Sequence, residues 1–232
     1  MRTMAFAARN AREIVRDPLS ALFGIGFPVV LILLISMMKR SVPEMPAEMF
    51  GIAAFTPGMA VFGLSFLSLF LGMLIANDRS SAFLMRLFAC PMTGADYILG
   101  YSLPMLPLAL LQGVVCYVTA LFFGLPVSVN LLPGLAVLLV PAMLFIALGL
   151  LLGSLFTATQ VGGAASILVN LAAWLSGTWF SLDMIGGVFR TLCNLLPFAH
   201  AVEAVKAAMN GEYSAMPLHP VSYTHLRAHE TS

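Results

Sequence analysis

"PGLAVLLVPAMLFIALGLLLGSLF", Pro133 to Phe156, contains no charged side chain and a single hydroxyl, Ser154. A helix rises 1.5 Å per residue, so a run of this length crosses the roughly 30 Å hydrocarbon core of a bilayer. Its apolar residues surround the whole helix and leave no polar face for water, which argues against an amphipathic helix on a soluble core. The stretch reads as a membrane-spanning helix. The next question is how many companions it has.

Comparable runs cover Leu22 to Met38, Phe55 to Ala76, Ile98 to Phe123 and roughly Val161 to Phe180. Each approaches the ~20 apolar residues that a span requires. Pro28, Pro104, Pro107 and Pro141 lie within or near these runs, where neighbouring helices accommodate them. Composition agrees: 60% of the residues are hydrophobic and 9% charged, whereas soluble domains carry about 25% charged residues. The expected fold is an all-α polytopic membrane protein with five spans. A net charge of +1 gives no basis for nucleic-acid binding. Cys90, Cys116 and Cys193 are scattered without a CxxC spacing, which fits packing residues rather than a disulfide framework or zinc site.

Ahead of the first run, Met1 to Pro18 reads as an amphipathic helix. At 100° per residue, Arg2, Arg9, Arg12, Glu13 and Arg16 gather on one side, and Met4, Ala7, Ala8, Ala11, Ile14 and Val15 on the other. A basic face opposite an apolar one suits an interfacial helix in an anionic leaflet. A signal-peptide leader is disfavoured, because the apolar run that follows is long and lacks an A-x-A cleavage site. Arg2, Arg9, Arg12, Arg16, Arg79 and Arg86 fall on one side of the membrane, and Lys39, Arg40, Arg190 and Lys206 on the other. Basic residues favour the cytoplasm, which places the N-terminus inside.

"NDRSSAFLMRLFACPMTGADY", Asn77 to Tyr97, is the longest loop on that side. A serine cap at Ser80 or Ser81 and a stop at Pro91 predict a short helix from about Ser80 to Cys90. Beyond the fifth run, Asp183, Arg190 and Pro197 interrupt an apolar stretch, so no further span is assigned. His200, Glu203, Lys206 and Asn210 oppose Val202, Val205 and Met209, a pattern for a short outer interfacial helix ended by Gly211.

No GxxxxGK[ST], HExxH or GxSxG motif is present, so ATP binding through a P-loop has no sequence basis. The five runs contain no Asp, Glu, Lys, Arg or His. An ion-gradient-driven transporter or channel normally places ionisable groups there, and a membrane-embedded enzyme needs a nucleophile–base pair or metal ligands. Both alternatives are therefore disfavoured, as is an assembly factor, and energy for uphill movement has to come from a partner. Gln112 and Asn170 are the polar candidates for lining a pathway.

Asp78-Arg79, Leu87, Pro91, Leu99-Gly100 and Gln112, followed by Ser176-Gly177, Leu196-Pro197 and Gly211, stand in an order that resembles the type-2 ATP-binding-cassette transporter permeases. The resemblance covers about residues 1 to 216, the expected permease domain. It departs at Ala82-Phe83, where the family often has an extra acidic residue. It departs again at Gly100-Tyr101, where a Gly-Lys is usual, and in lacking the prolines after the Ser-Gly pair. The resemblance implies a non-enzymatic, multi-pass exporter subunit of the bacterial cell membrane, with six spans and both termini cytoplasmic. It also implies a separate ATPase holding ATP and magnesium, a second permease subunit, and drug, lipid, glycan or peptide cargo. In that reading the ATPase docks on the Asn77–Tyr97 loop. Phe83, Leu84, Leu87 and Phe88 enter an apolar groove on it by helix-in-groove spacing, Asp78, Arg79 and Arg86 form the charged rim, and Pro91 ends the helix.

Residues 217–232 differ in character from everything before them. His225 and His229 are spaced i, i+4, yet no third ligand accompanies them as a metal would require. Val221 to Thr231 instead resembles the in-frame translation of a transposase adapter used in sequencing libraries, and such a segment is excluded from functional reasoning. On this reading the sixth span is missing. Amplifying the locus from source DNA should replace everything from about Val221 with an apolar segment of ~20 residues and a cytoplasmic end. Recovery of the same tail followed by a natural stop codon would refute the adapter origin.

Overall fold

A computed structural model describes residues 2–18, 22–42, 44, 50–81, 83–89, 92–179 and 187–212. Pro91, Asp183 and the histidine-bearing tail lie outside the described residues. Helix α1 (Arg2–Val15) is followed by a π-helical turn (Leu22–Gly26) that runs into α2 (Phe27–Ser41). Then come α3 (Ile52–Ser80), the short α4 (Phe83–Phe88), α5 (Gly94–Ser102) and α6 (Met105–Phe122). Helices α7 (Leu131–Leu155), α8 (Ala158–Leu175), α9 (Gly187–Leu195) and α10 (Pro197–Asn210) complete the described chain, in which there is no strand.

Five helical segments are long and apolar enough to span a membrane: Leu22–Ser41, Ile52–Ser80, Gly94–Phe122, Leu131–Leu155 and Ala158–Leu175. They coincide with the five runs of the sequence, with shifted ends. One shift matters most: the second span continues through Ser80 rather than stopping near Ala76, so Asp78 and Arg79 belong to its last turn. The third span is two helices, because Pro104 interrupts it between α5 and α6.

Helix α3 is the axis of the bundle. Of its most apolar window 83% is buried, against 39% or less for the other spans, and α2, α6, α7, α8 and α10 all pack on it. Leu34, Met37, Val118, Val140, Met143 and Ile167 remain exposed on the outer helices. Surface of that kind belongs against acyl chains.

Between helices in lipid there is little hydrophobic driving force, so association depends on close van der Waals contact through small residues. Helices α3 and α7 meet in this way. Ser68 and Gly72 on one face Gly149 and Gly153 on the other. A Cβ placed on Gly149 would lie 2.9 Å from the Ser68 carbonyl oxygen, and one on Gly153 would lie 2.7 Å from that of Gly72. Neither backbone oxygen can yield as a flexible side chain would. The Gly149-x-x-x-Gly153 spacing inside an apolar run is a helix-pairing motif that the reading of the sequence did not use.

Helix α10 buries Phe198, Ala199, Val202, Val205 and Met209, and Phe198 stacks on Phe145 of α7 at 5.8 Å. Gly211 ends it at φ 78°, the left-handed geometry that glycine adopts without strain.

Gly153→Leu should destabilise the bundle by more than the 1–3 kcal/mol typical of overpacking, because the obstacle is backbone. Gly162→Leu, with open space around it, should change the unfolding midpoint in detergent little. Equal midpoints for the two variants would show that α3 and α7 do not depend on this contact.

Candidate functional site: the charged end of the bundle

Helix α1 presents three faces rather than two. Phe6, Ala7 and Asn10 are buried, with Thr3 and Ile14 half-buried beside them. Met4 and Val15 are 67% and 84% exposed, and with Ala8 and Ala11 they form the apolar stripe available to lipid. Arg2, Arg12 and Arg16 lie on the exposed remainder. The buried face docks against α5 and the end of α3, a seat the two-sided helical wheel did not reveal.

That seat is built around a backbone defect. Proline has no N–H, so Pro104 cannot donate to the carbonyl of Gly100, four residues earlier. A buried carbonyl without a partner is costly. The Asn10 side-chain amide donates to it from 3.0 Å, and Asn10 is 0% exposed. Gly100 also lacks the Cβ that would collide with the Phe6 ring. One turn earlier, the Thr3 hydroxyl donates to the Asp96 carboxylate, which is held in place by its own capping box with Thr93 at the start of α5.

Asp78 lies at the centre of the site. It is 5% exposed, and the Arg9 guanidinium donates to both its oxygens at 2.6 and 2.9 Å. The Tyr101 hydroxyl donates to Asp78 Oδ2 at 2.7 Å. Bidentate arginine–carboxylate pairing fixes direction as well as charge. Burial opposes the Arg9 charge, but the hydrogen bond and the negative charge of Asp78 outweigh it and hold the guanidinium above its ordinary pKa. Phe6 and Tyr97 pack edge-on against the Tyr101 ring, each with centroids 4.9 Å apart. The residue that departs from the usual Gly-Lys is thus the third member of this cluster.

The remaining loop residues separate into engaged and outward-facing groups. Arg79 is exposed and anchored by its own side chain: Nη1 donates to the carbonyls of Gly153 at 2.9 Å and Phe156 at 3.2 Å. These lie at the C-terminus of α7, where carbonyls lack intrahelical partners and a cation is favoured. Asp78, by contrast, points inward, because α3 continues past Ala76 and turns it toward α1. The helix expected over Ser80 to Cys90 is confined to Phe83–Phe88, since Ser80 closes α3 and Ser81 is extended.

Phe83 stacks on Phe6 at 6.2 Å and lies 4.2 Å beneath the Arg9 guanidinium. Leu84 and Leu87 are half-buried, Met85 is 76% exposed and Arg86 is exposed. Phe88 is the last residue of α4, and Pro91 lies outside the described residues.

The two polar residues proposed for a pathway are far apart in character. Gln112 is 2% exposed in the packed interior, where its amide donates to Ala60 O at 3.2 Å and covers Gly63. Asn170 is exposed on α8 and donates to Ser166 O at 2.8 Å. Sequence reasoning missed Arg9, Asn10 and Tyr101 as partners of the loop. The one available signal was an asparagine repeating with Thr3, Phe6, Ala7 and Ile14 at helical spacing.

Apolar spans around a buried axis, with charge confined to their ends, define a multi-pass membrane domain. The family model of the ABC-2 type transporter matches residues 1–210, so the chain belongs to that family and is the membrane component of an ABC transporter. The resemblance read from the sequence is borne out. No curated protein and no solved structure matches the chain.

Asn10→Leu should cost about 1–3 kcal/mol, the price of an unsatisfied buried carbonyl, measured as a shift in unfolding midpoint in detergent. Adding Pro104→Ala, which restores the backbone donor, should recover at least half of that loss. Strictly additive destabilisation would show that Asn10 does not serve the proline break.

Proposed function

We propose that this chain is the permease subunit of an exporter in a bacterial cell membrane, driven by a separate ATPase and paired with a second permease subunit, with its N-terminus in the cytoplasm. What carries this reading is the mechanical continuity of the charged end. Met85 and Arg86 face outward on α4, Phe83 rests on Phe6 and Arg9 of α1, and α1 is tied to α3 and α5 through Asp78 and Gly100. Force applied to α4 reaches the central helix and the third span through a few stiff contacts. Asp78 serves this path as an internal coupler, Arg79 ties the end of α3 to α7, and Met85 and Arg86 form the surface that meets the ATPase. The half-buried Leu84 and Leu87 set the pitch of α4.

Charged residues of the spans occupy terminal turns only: Lys39, Arg40, Asp78, Arg79 and Asp96. That arrangement supports ATP rather than an ion gradient as the energy source. The exposed Ser166 and Asn170 on α8 support a face turned to the pathway or the second subunit, because an amide facing acyl chains is unfavourable.

Transport in membrane vesicles containing the permease and its ATPase should survive an uncoupler while ATP is maintained. Movement by the permease alone, driven by an ion gradient, would replace this reading with a secondary transporter.

Met85→Asp should abolish co-purification of the ATPase at normal expression, and Arg86→Ala should weaken it several-fold or less. Leu87→Asp should lower thermal stability as well, since Leu87 packs on the core. An ATPase that stays bound and coupled to Met85→Asp would remove α4 as the contact.

A further inference from the structure

A second charged place lies at the opposite end of α2 from α1. There the ends of α2 and α6 and the start of α3 enclose a cleft of about 200 Å³, lined by Ser36, Lys39, Arg40, Phe50, Ile52 and Phe123. Lys39 is half-buried. No ion pair or hydrogen bond of its ammonium is found among the described residues, although that group carries three donors. Arg40 has a single described interaction, its guanidinium resting 5.7 Å over the Phe123 ring. The Ser36 hydroxyl donates to Ile32 O at 2.7 Å, and the described lining supplies donors and no carboxylate.

Two adjacent cations in one cleft repel each other and are stabilised by an anion between them. The start of α3 adds to the positive field, because Gly51 provides no side-chain cap and the helix N-terminus carries a partial positive charge. Phe50, Ile52 and Phe123 make the other wall apolar. Just outside it, Met37, Met38 and Val42 are 65%, 42% and 51% exposed. A free inorganic anion gains nothing from such a wall. An amphiphile with a phosphate at one end and acyl chains at the other satisfies both halves.

We propose that this cleft is a binding site for the headgroup of an anionic phospholipid. Lys39 and Arg40 clasp the phosphate, and the glycerol and upper acyl chains lie along Phe50, Phe123 and the exposed side of α2. The site stands on the chain's being a membrane protein and is independent of the energy source or direction of transport. It also gives a reason for placing Lys39 and Arg40 together at the end away from the arginines of α1, against the usual distribution of basic residues.

The test is native mass spectrometry of the full chain in detergent with phosphatidylglycerol, phosphatidylcholine or inorganic phosphate. Phosphatidylglycerol should be retained in preference to phosphatidylcholine. Lys39→Gln with Arg40→Gln should weaken that retention about five-fold for each cation removed. The charge-preserving pair Lys39→Arg with Arg40→Lys should keep it, as should Arg12→Gln with Arg16→Gln at the other end of the bundle. Unchanged retention in the double glutamine variant would overturn the proposal. So would equal retention of the two lipids, or displacement of the lipid by millimolar inorganic phosphate, which would mark a free-anion site.

Discussion

A carboxylate buried at the end of a membrane span imposes more on this protein than any apolar contact. The desolvation penalty for an unpaired ion is several kcal/mol even after relaxation, so Asp78 requires a cation and a hydrogen-bond donor at fixed positions. Arg9 and Tyr101 supply them, and through them the first helix and the third span are held to the central one. Because the pairing is bidentate, α1 is fixed in rotation as well as in place. Phe6, Phe83 and Tyr97 then pack where this geometry puts them.

Much of the fold was legible in the sequence, because hydrocarbon thickness is a strict ruler. Pro133 to Phe156 and its four companions were recognisable from length and the absence of charge alone, and α10 from the alternation of His200, Glu203 and Lys206 with Val202 and Val205. The charged end was harder to read. Periodicity distinguishes apolar from polar faces, but Asp78 and Asn10 are polar residues on buried faces, and each is there because of a partner distant in sequence. Asp78 and Arg79 looked like a solvated rim because hydropathy falls at Ala76, whereas the helix itself continues to Ser80. Asn10 made sense only once Pro104 was known to leave a carbonyl unpaired beside it.

The interior shows two ways of holding helices together in lipid. Along α3 and α7, Ser68, Gly72, Gly149 and Gly153 bring the backbones into contact and gain dispersion from proximity. At the ends, charged groups close what the backbone leaves open: Arg79 on the last carbonyls of α7, and Asn10 on the carbonyl freed by proline. The first mechanism works without water and suits mid-membrane depth. The second uses long, polar side chains that are tolerated where solvent is near.

The seat of α1 also has a meaning for how the chain is made. Its contacts connect residues 69 to 93 positions apart, so α1 leaves the ribosome before its binding surface, which is complete only once α5 in the third span has been synthesised. Contacts of large sequence separation form late. During that interval Asn10 and Arg9 lack Gly100 and Asp78 and have only each other, Glu13, water and headgroups for partners, while Met4, Ala8, Ala11 and Val15 can rest on the bilayer. The stripe that looks unused in the finished bundle is the surface on which α1 waits, and assembly of the charged end reports that the third span has been inserted.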